Sequence, residues 1–381
     1  MTLQIHRNHL KWEWINIGGK TIPVLMAFYF ILAIFGKALI QGQLEYSLAK
    51  EHLLCFLMFL TGIMAWRKED NILEVMTFLF TLIIFIESAL GIIEWCVWPS
   101  KLFGFDRYYY YNDGIRFDRN ILRVSGTFQN PSYYGILLCM GLPLSLSMLF
   151  SKKSPIRWFS VLSSITCLIA ILFTYSRLSY LATGLTMMIL LYLVCQGKLS
   201  MIKQTKKILL GIGLILLCII IVSPPIIQRV ISLTNRADHS LRNRMILQIE
   251  SMDMIRDFPL SGVGVGQYTS IYATFYHDSI AKVNTNFPHN NIIEYWVNWG
   301  IIPLILYILF LFSILGPAVK LIFHAKNYED KNLLVGWVAV ILIFTISGLT
   351  EETIWIPSLN IIFWVGMAAV WTICWDKKYV E

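Results

Sequence analysis

The sequence contains few charged residues. Only 14% of its 381 residues are Asp, Glu, Lys or Arg, whereas 57% are hydrophobic and the mean hydropathy is +0.63. A soluble domain of ordinary composition is about one-quarter charged. Apolar runs of roughly 17–25 residues, the length that crosses a bilayer, recur along the chain. These features exclude an ordinary soluble protein and predict an integral membrane protein.

The sequence also lacks the signatures of disulfide-rich and metal-binding proteins. None of its seven cysteines shows a Cys-x-x-Cys spacing, and all fall within or at the ends of apolar segments: Cys55, Cys96, Cys139, Cys167, Cys195, Cys218 and Cys374. We therefore expect small packing residues and no thiolate metal site. A cleavable signal peptide is not expected either, because residues 1–20 are polar and lack a short apolar core.

The apolar runs predict an all-α fold that forms one polytopic membrane domain over residues 1–381. We count about ten spans, with up to twelve allowed by the soft boundaries: 21–41, 50–66, 71–96, 131–150, 157–174, 177–196, 207–225, 291–319, 332–349 and 356–375. Each boundary is set by the point at which polar residues begin.

The distribution of Lys and Arg predicts that both termini are cytoplasmic. In that orientation the short inward segments hold 14 Lys and 3 Arg, whereas the outward segments hold 3 Lys and 10 Arg. The dense positive charge of the short inward loops agrees with the positive-inside rule. Arginine binds phosphate oxygens in pairs and keeps its charge, so the outward arginines suggest an anionic ligand. Ordinary surface charge is the alternative for any single arginine.

The largest hydrophilic insertion is an outward loop over residues 226–290. Within it, an amphipathic helix is predicted from about Ser240 to just before Pro259. Its apolar stripe comprises Leu241, Met245, Ile249, Met252 and Ile255. Such a helix can lie against the membrane or cap the helix bundle. The following SGVGVGQY is predicted to form a tight turn, because it lacks the strand and helix of a dinucleotide site.

Four stretches in this order resemble the bacterial superfamily of O-antigen ligases and Wzy-type polysaccharide polymerases. They are RVSGTFQNPSYYG (123–135), TYSRLSYL (174–181), RMILQIESMDMIRDFPLSGVGVGQY (244–268) and HNNIIEYWVNWGII (289–302). The resemblance extends from about residue 120 to 350 and includes the large outward loop before a late span. It implies a GT-C-like helical bundle.

The resemblance also implies which residues act. Arg177, Arg244 and His289 match the family's catalytic positions, with the arginines facing a pyrophosphate and the histidine acting as the base. Arg123, Arg242 and Asn290 are further candidates for substrate binding. Without the resemblance, His289 would equally fit a boundary histidine that caps a helix together with Asn290.

The implied activity is metal-independent transfer of an oligosaccharide from a polyprenyl pyrophosphate to an acceptor hydroxyl. It would occur at the outer face of the bacterial cytoplasmic membrane, with a glycan or lipid acceptor, no cofactor and no nucleic acid. Pro303 departs from the ligase pattern and the chain is of modest length, which favours a polymerase of surface polysaccharide. A ligase acting on lipid A–core, a protein O-oligosaccharyltransferase and a non-enzymatic flippase of lipid-linked glycans are the alternatives.

Overall fold

A computed structural model of the chain describes residues 21–36, 46–66, 72–96, 123–128, 130–149, 153–195, 239–264, 266–276, 287–324 and 331–375. Within these ranges the structure is helical and has no strand, which confirms the all-α prediction. The predicted span 207–225 lies outside the described residues, as do both termini and most of the first outward loop.

Twelve α-helices are described. They are α1 (Thr21–Gly36), α2 (Tyr46–Trp66), α3 (Ile72–Cys96), α4 (Pro131–Met148), α5 (Ser154–Phe173), α6 (Arg177–Cys195), α7 (His239–Asp257), α8 (Tyr268–Ile271), α9 (Asn291–Trp299), α10 (Ile301–His324), α11 (Lys331–Ser347) and α12 (Pro357–Trp375). A π-helical turn follows α8 at Tyr272–Tyr276, and a 3-10 turn precedes α12 at Thr353–Trp355.

Four of these helices are long and apolar enough to cross a membrane, namely α3, α5, α10 and α12. Shorter apolar helices lie at Thr21–Gly36, Glu51–Met64 and Lys331–Ser347. The described residues thus confirm a membrane protein of several helices. The predicted number of about ten spans is not confirmed by the described helices.

The chain divides into two compact units. Unit 1 draws on residues Met1–Glu69, Leu247–Tyr328 and Trp364–Glu381, and unit 2 on Asp70–Ile246 and Glu329–Phe363. The prediction of a single membrane domain stays a prediction, and each unit is described by itself below.

Helix α4 is the centre of unit 2. It contacts α3, α5, α6 and α11, and nearly all of its residues are buried. A helix that is apolar all round is covered either by protein or by lipid, and here protein covers almost every face. Small residues allow this close approach: a Cβ added to Gly135 would lie 2.2 Å from Ser179 Oγ, and one added to Gly141 would lie 2.2 Å from Ile84 Cγ1.

The cysteines of α4 and α5 are packing residues, as predicted. Cys139 and Cys167 are free and buried, and their thiols donate to the carbonyl oxygens of Ser179 and Leu138, at 3.3 Å in each case. Cys55, Cys96 and Cys374 are free as well.

Unit 1 has an aromatic core within its membrane helices. The rings that contact one another there belong to Phe30, Phe59, Tyr295, Tyr307, Phe310 and Trp364. His52 is fully buried beside this cluster and contacts Tyr295 and Trp299. His52, which begins a predicted span, is therefore a packing residue of α2.

The predicted span 291–319 is wrong as a single helix. Two helices, α9 and α10, meet at Gly300, which has φ +86°. Only glycine adopts this backbone without strain, and a Cβ at Gly300 would lie 2.0 Å from the carbonyl oxygen of Leu260. The Val263 N–H also donates to Val297 O at 2.7 Å. The backbone after α7 therefore crosses the break between α9 and α10 in direct contact.

The amphipathic loop helix is confirmed as α7, but its buried face differs from the predicted stripe. Met245, Ile249 and Met252 are exposed, whereas Leu247 and Met254 are buried. The buried side packs into a small core with Ile255, Tyr268, Tyr272, Ile293 and Val297. The predicted turn after the helix is also confirmed, since Gly262, Gly264 and Gly266 all have positive φ.

Replacing Gly300 by Ala should destabilise the protein by about 1–3 kcal/mol, because it combines backbone strain with a clash. Gly184→Ala in α6 is the matched control, since a Cβ there has nothing within 4 Å and alanine favours a helix. Thermal unfolding followed by tryptophan fluorescence in detergent measures both. Equal melting temperatures for the two variants would contradict the close backbone crossing.

Candidate active site

Arg123 is fixed at the C-terminal end of α5. Its Nε donates to the carbonyl oxygen of Thr174 at 2.8 Å, and the N–H of Val124 donates to Phe173 O at 3.1 Å. These carbonyls belong to a helix C-terminus, where the helix dipole favours a positive charge. The segment before α4 thus holds Arg123 through both its side chain and its neighbouring backbone.

Glu94 at the end of α3 shapes the turn that follows Arg123. Its buried Oε2 accepts hydrogen bonds from the N–H groups of Ser125 at 2.9 Å and Gly126 at 2.8 Å. Gly126 has φ +54°, and a Cβ there would lie 2.5 Å from Tyr134 Cε2. One turn of the motif RVSGTFQN is therefore held by a single buried carboxylate.

Glu87, two turns before Glu94 on α3, supports the same segment. Its Oε1 accepts a hydrogen bond from Thr127 Oγ1 at 2.8 Å, and its backbone carbonyl accepts one from the Tyr134 hydroxyl at 2.7 Å. Glu87 lies within a predicted membrane span, and its carboxylate is hydrogen-bonded to Thr127 there.

Arg177 follows a sharp turn and begins α6. Tyr175, two residues earlier, has φ +49°, an uncommon conformation for a bulky residue. The turn is closed by the N–H of Ser176, which donates to Thr174 Oγ1 at 3.2 Å. Thr174 thus links the turn before Arg177 to the side chain of Arg123.

Arg244 projects from α7 and forms an ion pair with Glu351. Its Nη2 lies 2.6 Å from Glu351 Oε1, and the glutamate side chain is only 3% exposed. Glu351 belongs to the short segment between α11 and the 3-10 turn. A pair this well shielded from water is a strong local interaction, and removing either partner leaves a buried charge.

Arg123, Arg177 and Arg244, all in unit 2, lie close enough for their charges to affect one another. Burial lowers the pKa of the Arg123 guanidinium to about 10, and the charges of Arg244 and Arg177 act in the same direction. Glu351 and Tyr180 act in the opposite direction. At neutral pH Arg123 is still charged. Arg123, Arg177, Arg244 and Glu351 therefore form one electrostatic group, which we name the arginine cluster.

A second buried carboxylate borders the arginine cluster. The hydroxyl of Tyr133 in α4 donates a hydrogen bond to Oε1 of Glu352, and Tyr133 lies within electrostatic range of Glu351 and Arg244. Glu352 therefore lies beside the arginine cluster. Guanidinium groups held in fixed positions suit an anionic ligand.

His289 belongs to unit 1, where it directly precedes α9. It has φ +52°, and its carbonyl oxygen accepts a hydrogen bond from Gln248 Nε2 at 3.4 Å. The positive φ is uncommon for a residue other than glycine, and such strain is often found at functional sites. Gln248 thereby links α7 to the segment that contains His289.

The other two predicted binding residues have separate positions. Asn290 caps α9, since its Oδ1 accepts hydrogen bonds from the N–H groups of Ile292 at 2.9 Å and Ile293 at 3.3 Å. Arg242 is exposed on α7 and, being two residues from Arg244, does not share its helix face. Their roles in substrate binding stay predictions.

Sequence reasoning found the arginines but missed their acidic partners. Glu351, Glu352 and Glu94 are not part of the four motifs. The adjacent acids of TEET at 350–353 lie between two strongly apolar runs, and that contrast is the signal that would have drawn attention to them.

Residues 162–308 match the family model Wzy_C, described as O-Antigen ligase. The match covers less than half of the 381 residues and supports a relation to the O-antigen ligase superfamily. The resemblance inferred from the motifs is thus confirmed. No curated protein matches the chain.

The matched residues include Arg177, Arg244 and His289, whereas Arg123 and Glu351 lie outside them. The family implies a membrane glycosyltransferase of the ligase or polymerase type, which acts on a lipid-linked glycan. Together with the apolar helices, it indicates a multi-pass protein of the inner membrane.

Replacing Glu94 by Ala should lower the free energy of unfolding by several kcal/mol, at about 1–3 kcal/mol for each buried N–H left without a partner. Glu94→Gln keeps one carbonyl oxygen as an acceptor, so it should lower the free energy of unfolding by less than Glu94→Ala does. Glu74→Gln is the control, because its ion pair with Lys153 is exposed and worth about 0–1 kcal/mol. Thermal unfolding compares the three variants, and equal stability of Glu94→Ala and Glu74→Gln would refute the role of Glu94.

Proposed function

We propose that the protein is a glycosyltransferase that moves an oligosaccharide from a polyprenyl pyrophosphate to an acceptor hydroxyl. The reaction would take place at the outer face of the bacterial cytoplasmic membrane, with both termini in the cytoplasm. In this proposal the acceptor is a further glycan, so the product is a surface polysaccharide. The observation that supports it most is the arginine cluster, of which Arg177 and Arg244 lie within the residues that match the O-antigen ligase family model.

The arginine cluster suits a pyrophosphate because negative charge grows on this group as it leaves. Fixed cations that face the leaving group stabilise the transition state more than the ground state. Arginine provides paired donors for phosphate oxygens, and its interactions strengthen where water is excluded. Three guanidinium groups supply the positive charge that a divalent cation supplies in other phosphate sites, so the proposed reaction needs no metal.

Glu351 has a positioning role in this proposal. Its ion pair with Arg244, at 2.6 Å, holds the guanidinium in one orientation. A preorganised donor loses little freedom when the substrate binds, which is what makes electrostatic catalysis effective. Arg123 is held in the same way by Thr174.

The transfer step requires a base for the acceptor hydroxyl. The hydroxyl oxygen attacks the anomeric carbon, the bond from that carbon to the phosphate oxygen breaks, and the pyrophosphate leaves on its polyprenyl carrier. We assign the proton to His289, because the unperturbed pKa of a histidine is suited to base catalysis near neutral pH.

Transfer to lipid A–core is the alternative, because the matching family is that of the O-antigen ligases. Polymerase and ligase share the donor and the leaving group, so the arginine cluster serves both. The difference lies in the acceptor, and Pro303, buried at the start of α10, is the residue that departs from the ligase pattern.

Arg244→Ala and Arg177→Ala should each lower the rate of transfer from a purified polyprenyl-pyrophosphate glycan by about 100-fold or more, as expected for loss of a donor to a developing charge. His289→Ala should cause a comparable loss. Arg157→Ala in α5 is the control, since this arginine lies at the opposite end of that helix from Thr174. Undiminished transfer by any of the three variants would refute the role of that residue. Addition of a chelator should leave the rate unchanged.

The polymerase proposal is tested by the products of a strain that lacks the protein. Such a strain should accumulate single repeat units on the polyprenyl carrier, because these units are no longer joined. Restoration by the wild-type chain, but not by Arg244→Ala, is the matched control. Long chains that remain on the carrier would instead identify the protein as a ligase.

A further inference from the structure

One side of α7 is apolar and exposed although its other side is packed. Met245 is 63% exposed, Ile249 61% and Met252 42%, and their spacing of four and three residues places them on one helix face. Leu247 and Met254 on the other side are almost fully buried. We name Met245, Ile249 and Met252 the exposed stripe.

The C-terminal end of α7 is held at the beginning of a membrane helix. The indole Nε1 of Trp296 donates to Pro259 O at 2.9 Å, and Leu260 O lies against Gly300, directly before α10. Leu260 itself is 72% exposed. The end of α7 is therefore at the level where the apolar helix α10 begins.

The surface of α10 that follows is also apolar and exposed. Ile302, Ile305, Leu309 and Phe312 are exposed and recur at helical spacing. On a helix long enough to cross a membrane, such a face contacts lipid. The backbone of Leu260 contacts Gly300, one residue before α10, so the exposed Leu260 side chain lies between the exposed stripe and the start of this face along the chain.

Charged residues of α7 complete an arrangement that fits a lipid surface. Arg242 and Arg256 are exposed near the two ends of the exposed stripe. Glu250 and Asp257, on a different side, accept hydrogen bonds from Tyr272 and Tyr276. Asp253 lies at the edge of the stripe and pairs with Arg256 in an exposed contact, which contributes little in water. Arginines beside an apolar stripe are typical of helices that bind anionic lipids.

We propose that α7 is an interfacial helix whose exposed stripe enters the bilayer surface, with anionic headgroups bound by Arg242 and Arg256. This inference rests on α10 as a membrane helix and not on the transfer reaction. From the sequence alone, α7 could either lie against the membrane or cap the helix bundle. The exposure of the stripe favours the membrane, because a helix that capped the bundle with its apolar stripe would have that stripe buried.

The experiment measures whether Ile249 contacts lipid. A ketone-bearing amino acid replaces Ile249 in the full-length chain, and a nitroxide is attached to the ketone, so that the seven native cysteines remain. The protein is placed in nanodiscs that contain phosphatidylglycerol, and collision rates with oxygen and with a water-soluble nickel complex are compared. Ile305 on the lipid-facing side of α10 is the positive control, and Asp257 on the acidic side of α7 is the aqueous control.

The proposal predicts an oxygen-to-nickel collision ratio at position 249 that is several-fold above that at 257 and close to that at 305. A label at Met252 should give the same collision ratio as one at Ile249. This second position shows that the result does not arise from a local effect of one label. A ratio at 249 equal to that at 257 would show that the stripe faces water. Low collision rates with both reagents would show that protein covers it. Either outcome overturns the proposal.

The headgroup part of the proposal is tested by lipid composition. Nanodiscs of phosphatidylcholine alone should lower the ratio at 249 but not at 305, because the attraction to Arg242 and Arg256 is lost. Arg256→Gln should reduce the difference between the two lipid compositions. A ratio at 249 that is the same in both lipids would overturn the assignment of these arginines.

Discussion

Buried positive charge is the constraint on which the candidate site depends. A guanidinium group keeps its proton at neutral pH, so each arginine that leaves water needs partners in fixed positions. Arg123 uses the terminal carbonyls of α5, and Arg244 uses the carboxylate of Glu351. These partners hold Arg123 and Arg244 in fixed positions, and guanidinium groups held in this way suit an anionic group.

The same constraint explains why the site is built from several separate segments. Glu94 comes from the end of α3, Thr174 from the turn after α5, and Glu351 from the segment after α11. Each partner lies where a helix ends, since the backbone groups and side chains at helix ends are the ones not already used within a helix. Helix ends that meet at one level can therefore form a polar site in an otherwise apolar unit.

Sequence reasoning located one half of this site well. Arg177, Arg244 and Arg123 were recognisable because each lies in a motif with a fixed order along the chain. Their partners could not be derived, since Glu351 is 107 residues away from Arg244 and no local pattern records that contact. The position of His289 before a helix was predictable, whereas its positive φ follows from the surrounding structure.

Some features of the fold could be predicted from the sequence, and others could not. Hydropathy predicted α3, α5 and α12 to within a few residues, because burial of apolar length in lipid dominates there. It did not predict the break at Gly300, which depends on a backbone crossing with Leu260. For α7 the apolar periodicity was visible, but both sides of the helix have apolar residues. Only the tertiary contacts show which side packs against protein.

The nearly complete burial of α4 has a consequence for how such a protein can change during evolution. A helix that is enclosed by four others has almost no position where a larger or more polar residue is tolerated. Differences in glycan specificity between relatives should therefore accumulate in the connecting segments around the enclosed helix, while the helix itself acts as an invariant frame. Attempts to redesign the acceptor would do best to begin at those segments.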